Sequence, residues 1–137
     1  MKSLLVLLLL TLTLSATAPC QDKGEKAATD SANQWLARVD SGDFAGSWEW
    51  AAPMFKSGIS KDQWVVMMEK KHALLGKVLS RTLKSAVYTT SLPGAPAGQY
   101  VVIVYESSFV DMKSAIETVT PSLGMDGQWR VSGYFIR

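Results

Sequence analysis

Asp126-Gly127-Gln128-Trp129-Arg130-Val131-Ser132-Gly133-Tyr134-Phe135-Ile136-Arg137 is the stretch that decides the fold. Asp-Gly is a hairpin signal, because glycine takes the positive φ that a tight turn between strands requires. The aromatic and β-branched residues that follow read as a strand. Strict alternation places Trp129, Val131, Gly133 and Phe135 on one face and Arg130, Tyr134 and Ile136 on the other. One face is expected to fill a core. The other is left for solvent, for a partner, or for a second copy of the sheet.

Working back from this strand, the preceding residues keep a period of two. Ser114 to Thr120 reads as a third strand, limited by Pro121. Gln99 to Val110 is the strongest strand in the chain. Val101, Ile103, Tyr105 and Phe109 take one face, and Tyr100, Val102 and Val104 take the other. Apolar residues on both faces predict a central, covered position. Ser91 to Gly98, rich in proline and glycine, is a loop. Lys77 to Thr90 is the first strand, with Leu79, Leu83 and Val87 in phase and Arg81 between them.

Before Lys77 the period is helical. Ala28, Ala32, Trp35, Leu36 and Val39 form one stripe, closed by Ser41-Gly42. Asp43 can cap a second, short helix through about Ala52, broken by Pro53. Met54 and Phe55 then tuck back, and Ser57-Gly58 turns. Ser60-Lys61-Asp62-Gln63 is a capping box, and Trp64, Met67, Met68, Leu74 and Leu75 make the stripe of a third helix ended by Gly76. Helices followed by an antiparallel meander is an α+β pattern. The expectation is three N-terminal helices packed on a curved four-stranded antiparallel sheet, as one domain over 27–137 with a flexible lead-in at 21–26.

The first residues have another character. Met1-Lys2 is followed by an almost wholly apolar run from Leu4 to Leu14 and then by Ser15-Ala16-Thr17-Ala18. That is the three-part pattern of a secretory signal peptide over 1–20, and the run is shorter than the roughly 20 residues a spanning helix needs. An N-terminal membrane anchor is the alternative. The cut can fall after Ala16, Ala18 or Cys20, and Pro19 disfavours the second. A lipidated Cys20 would mark a lipoprotein, but that reading calls for a small residue where Pro19 stands. The expectation is therefore an exported protein, periplasmic or secreted, without a transmembrane helix in its mature form.

Cys20 is the only cysteine, so the mature domain has no internal disulfide and must rest on its core, which holds all five tryptophans. The 14 basic and 12 acidic residues nearly balance, and no basic run suited to nucleic acid occurs.

Several segments together resemble a known family: Trp35-Leu36 with Gly42, Ser47-Trp48, Trp64, Leu75-Gly76 with Ser80-Arg81, Leu92-Pro93-Gly94 with Gly98-x-Tyr100, Glu117-Thr118-Val119, and Gly127-x-Trp129-Arg130-Val131-x-Gly133-Tyr134. The pattern is similar to domain-of-unknown-function family 4019, an uncharacterised bacterial secreted family. The resemblance spans nearly all of the expected mature chain and implies an exported bacterial protein. More distantly, the element order resembles the cystatin-like cone of the nuclear transport factor 2 superfamily. That likeness implies a conical pocket and sheet-to-sheet dimers, but no activity, because the fold hosts isomerases, dehydratases and binding modules alike.

Candidate chemistry is sparse. His72 is the only histidine, so a zinc site lacks its usual ligands, and no phosphate-cradling glycine loop precedes a helix. No cofactor or metal is expected. Three charges are oddly placed: Lys71 in the stripe of the third helix, Arg81 in phase with Leu79 and Leu83, and Glu117 in phase with Ala115 and Val119. Buried charges need partners or a wet cavity. One reading is an internal Arg81–Glu117 ion pair, with Lys71 reaching out to solvent. The other is a pocket in which Glu117 transfers protons, with Tyr88, Tyr100 or Tyr134 as hydrogen-bond donor. The first makes the protein a binding or accessory module for a small molecule or an envelope protein, without catalysis. The second makes it a small isomerase or dehydratase.

Overall fold

The computed structural model describes residues 22–137. The signal peptide expected over 1–20, its candidate cut sites and Cys20 lie outside the described residues. The element order is α1 (Glu25–Asp40), α2 (Phe44–Trp50), α3 (Pro53–Gly58), α4 (Lys61–Leu75), then β1 (Val78–Thr89), β2 (Tyr100–Phe109), β3 (Ala115–Leu123) and β4 (Trp129–Ile136). Local signals explain most of these boundaries. The Asp43 carboxylate accepts the Gly46 N–H at the start of α2. Ser60 and Gln63 form the reciprocal capping box of α4, and Gly76, at φ 70, ends it.

Two helix boundaries differ from expectation. There are four helices among the described residues, because Pro53 ends α2 and also opens α3. Its fixed φ suits the first helical position, where no backbone donor is needed. And α1 starts at Glu25, within the expected lead-in.

The strands form one antiparallel meander in the order β1-β2-β3-β4. Its inner face carries Val101, Ile103, Tyr105, Val119 and Val131 against the buried stripe of α1, Ala28, Ala32, Trp35, Leu36 and Val39. Each large apolar side chain taken from water here contributes about 1.5–3 kcal/mol. Trp35, Phe55 and Trp64, from α1, α3 and α4, pack together, Phe55 in T-shaped contact with both tryptophans and the two indoles tilted, with ring centroids 4.9–6.0 Å apart.

Strict alternation fails at bulges. In β4, Val131 lies opposite Pro121 and Gly133 opposite Thr120, so Ser132 is an extra residue. An inserted residue shifts the phase of everything after it. Trp129, Val131, Tyr134 and Ile136 therefore face inward, while Arg130, Gly133 and Phe135 face outward. Phe135, expected beside Trp129, is exposed on the outer face. β3 also runs through Pro121 to Leu123, since a bulge is a place where a sheet tolerates proline.

β1 shows the same effect. Register shifts at Leu79 and between Leu83 and Ser85 take Leu79, Leu83 and Val87 out of a common phase, and all three are exposed on this edge strand. The stripe of α4 is narrower than expected: Trp64 and Met68 are buried, whereas Met67 and Leu74 are exposed. β2 is central, as expected. Its inner face is buried, Val102 and Val104 outside are half-buried, and the Tyr100 hydroxyl donates to Pro96 O in the proline–glycine loop.

The free edge of β4 is protected. The Ala52 N–H donates to Val131 O at 2.8 Å, and the Ser31 hydroxyl donates to Trp129 O at 2.7 Å. These bonds satisfy groups that would otherwise template edge-to-edge pairing. Among the described residues no helix is long and apolar enough to cross a membrane.

Candidate functional site

Glu117 sits on the inner face of β3 and is 0% exposed. Arg81 reaches it from β1 across the intervening β2, where Ser107 lies opposite Arg81 in register. The Arg81 Nε–H donates to Glu117 Oε1 at 2.8 Å, and its Nη2 to Oε2 at 3.3 Å. The Ser107 hydroxyl donates to Oε1 at 2.5 Å, and the Tyr134 hydroxyl, from β4, to Oε2 at 2.6 Å. The outer side of the guanidinium is held by Asp40, the last residue of α1, at 2.7 and 3.0 Å.

The cluster is thus a chain, Asp40–Arg81–Glu117, with two hydroxyls completing the inner carboxylate. Two carboxylates face one guanidinium, and hydrogen bonds fill both oxygens of the buried one. Such an arrangement can hold a charge in a core at tolerable cost. Burial works against the Arg81 charge, but the hydrogen bonds with Asp40 and Glu117 outweigh it and hold its pKa above the ordinary value. Burial, the Glu117 charge and the hydrogen bond to Glu117 push Tyr134 well above its ordinary range. Tyr105, one pleat from Ser107 and hydrogen-bonded to Asn33 Oδ1 at 2.7 Å, is raised mainly by burial.

Tyr134 joins this cluster to the aromatic core. Its ring packs 5.3 Å from Trp35 and 6.3 Å from Trp64 while its hydroxyl serves Glu117. An apolar body with a polar tip suits that boundary.

Of the residues singled out from sequence, Arg81, Glu117 and Tyr134 converge. Lys71 does not: it is half-buried on α4 and makes no ion pair among the described residues. The stripe that was to carry it inward rested partly on Met67, which points away from the core. Tyr88 and Tyr100 are not with Glu117 either. The Tyr88 hydroxyl donates to Gln99 Oε1 at 3.1 Å, and the Tyr100 hydroxyl is taken by Pro96 O. His72 packs its ring edge-on against Phe44, centroids 5.0 Å apart.

Two members were missed, though each left a trace. Ser107 continues the buried phase of β2, where a lone polar residue needs a partner. Asp40 is an anion at a helix C-terminus, where the helix dipole disfavours it, so a cation nearby is called for. Among the described residues no group of three or more His, Cys, Asp or Glu is placed to hold a metal.

A helical layer on the inner face of a four-stranded meander, enclosing a charged cluster, defines a cone of the nuclear transport factor 2-like class. One solved structure shares this fold. A candidate ketosteroid isomerase from Shewanella frigidimarina matches with a TM-score of 0.53 at 16% identity, over 81% of this chain and 94% of that one. A protein from Kribbella flavida matches at 0.48 and 19% identity, over 82% and 86% of the two chains. One from Catenulispora acidiphila matches at 0.49 and 14%, over 83% and 93%. At 16% identity, what the first of these shares with this chain is the fold. Residues 31–134 match the family described as Protein of unknown function (DUF4019), and the chain belongs to that family. No curated protein matches the chain.

Proposed function

We propose that this protein is an exported binding or accessory module in which the Glu117 cluster is structural and performs no catalysis. The observation that supports this reading is the enclosure of Glu117. It is fully buried, and both of its oxygens already accept hydrogen bonds from Arg81, Ser107 and Tyr134. A general base must present a free lone pair within hydrogen-bond reach of a substrate proton. Here that position is occupied by the protein's own donors. Export rests on the leader pattern in residues 1–20. A second copy of the chain docked on the outer face of the sheet, where Val87 and Phe135 are exposed, is part of the same reading. Sedimentation at rising concentration checks it.

The rival is a proton-transfer enzyme using Glu117, with Tyr134 as hydrogen-bond donor. What favours it is the 2.6 Å Tyr134–Glu117 contact together with a fold neighbour described as a candidate ketosteroid isomerase. Two measurements separate the readings. The Tyr134 hydroxyl proton should be visible by NMR in slow exchange with solvent. Wild type and Glu117→Gln should both fail to isomerise a β,γ-unsaturated 3-ketosteroid. Turnover that disappears in a folded Glu117→Gln variant, or a Tyr134 hydroxyl exchanging as fast as free tyrosine, overturns the non-catalytic reading.

A further inference from the structure

The five tryptophans divide by what their indole N–H groups do. Trp35 donates to Ser47 O at 2.8 Å, Trp48 to Ile59 O at 2.8 Å, and Trp64 to Ser47 Oγ at 3.0 Å. The indole N–H groups of Trp50 and Trp129 have no partner among the described residues. These two, far apart in sequence, line one groove of about 600 Å³ between α1, the end of α2 and the β3–β4 turn. Neither Arg81, Glu117 nor Tyr134 lines it. Its volume falls within the roughly 300–1,000 Å³ of small-ligand clefts.

Most of the rest of the lining is polar, with Ala27, Trp35 and Val131 as its apolar part. Gln34 and Gln128 contribute side-chain amides that bond to nothing else among the described residues. Asp30 and Glu49 contribute carboxylates whose charge is already countered by Lys26 and Lys61. Arg130 is held by both oxygens of Asp126, at 3.0 and 2.8 Å. No unpaired cation therefore faces the groove, so an anionic ligand finds no counter-charge. A ligand cation finds carboxylates already neutralised, and a wholly apolar ligand would strand the amides and carboxylates without partners. A neutral polyhydroxylated ligand matches the set: its apolar C–H faces suit the indoles, and its hydroxyls suit amides and carboxylate oxygens. The platform is also held in place. Trp50 is 57% exposed, yet the Arg38 guanidinium, outside the groove lining, packs on its ring at 4.1 Å.

We propose that this groove binds a neutral saccharide, one or two sugar units long, between Trp50 and Trp129. The inference rests on the binding-module reading and supplies it with a site and a ligand class. The test uses the protein as the cell delivers it, labelled with nitrogen-15. It is titrated with maltose, cellobiose and N-acetylated chitobiose, and in separate arms with inorganic phosphate and tetramethylammonium. For at least one saccharide, the Trp50 and Trp129 indole N–H resonances should shift and saturate at millimolar or lower concentration, while those of Trp48 and Trp64, which do not line the groove, stay in place. Trp50→Ala should weaken that binding at least tenfold, and Gln128→Ala less, with the Trp64 resonance unmoved as evidence of an intact fold. The proposal fails if none of the three sugars gives a saturable shift at the two indoles. It also fails if Trp50→Ala leaves the affinity unchanged, or if phosphate or tetramethylammonium saturates the groove instead. Those failures leave the Glu117 assays untouched, and turnover dependent on Glu117 would refute the non-catalytic reading whatever the groove binds.

Discussion

The Glu117 cluster meets α1 at its last residue, Asp40, the Trp50–Trp129 groove meets it between Ala27 and Trp35, and the two regions treat polar groups in opposite ways. In the cluster every buried donor and acceptor is matched: among the described residues no buried side-chain nitrogen or oxygen lacks a partner. In the groove two indoles and two amides keep unused hydrogen-bonding capacity at the surface. Matched groups in a low-dielectric interior hold strands together, whereas unmatched groups beside water remain available to a ligand. The more conspicuous residue in the sequence, a carboxylate in phase with the core, thus falls in the closed region. The open region is made of residues that look ordinary one at a time.

The largest expected effect tests the closed region. Arg81→Met leaves Glu117 buried without its cation, and we expect a loss of about 3–5 kcal/mol in urea unfolding. A loss well under that would mean that Glu117 reaches solvent and that the two regions differ less than their geometry implies. Ser107→Ala removes one charge-assisted hydrogen bond while Arg81 still covers Oε1, so about 1.5–3 kcal/mol is expected from the same measurement.

Alkaline pH probes the same cluster through Tyr134. Its pKa in the fold lies above the ordinary 10.0, so the folded state holds this proton more tightly than the unfolded chain does. The associated stability is fully present below pH 10.0 and is lost as pH rises from there toward the folded value. Unfolding midpoints followed above about pH 10 should fall steeply in wild type and less steeply in Tyr134→Phe. Equal slopes would show that Tyr134 ionises freely. The smallest effect belongs to the groove. Trp50→Ala should change stability by no more than about 1 kcal/mol, mostly through the lost Arg38 stacking. By contrast, Trp64→Ala in the core should lose about 3–5 kcal/mol. If the two tryptophans proved equal, Trp50 would be structural and the contrast between the regions would disappear.

Much of the fold can be read along the chain, and the reason is local. The Ser60–Gln63 capping box, the Asp43 cap, Gly76, the Asp126-Gly127 turn and the buried stripe of α1 each depend on residues a few positions apart. The Arg81–Glu117 pair was also legible, because unpaired charges in phase with apolar neighbours call for each other. Lys71 misled because the α4 stripe was drawn too wide. Tyr134 stood only as one of three candidate donors to Glu117, because Ser132 shifts the phase of β4 and nothing within the strand announces a bulge.

The sequence by itself determined that helices precede a four-stranded meander, where most caps and turns fall, and that Arg81 and Glu117 need partners; it did not reveal α3 as a helix. Hydrogen bonds within a turn and the periods of helix and strand are properties of neighbouring residues. Only the tertiary structure decided that Asp40, Ser107 and Tyr134 close the cluster around Arg81 and Glu117, and that Trp50 and Trp129 stand across one groove. Those meetings join residues from separate elements. Whether a carboxylate is enclosed or open depends on how the sheet coils and where its bulges fall, which no local pattern specifies.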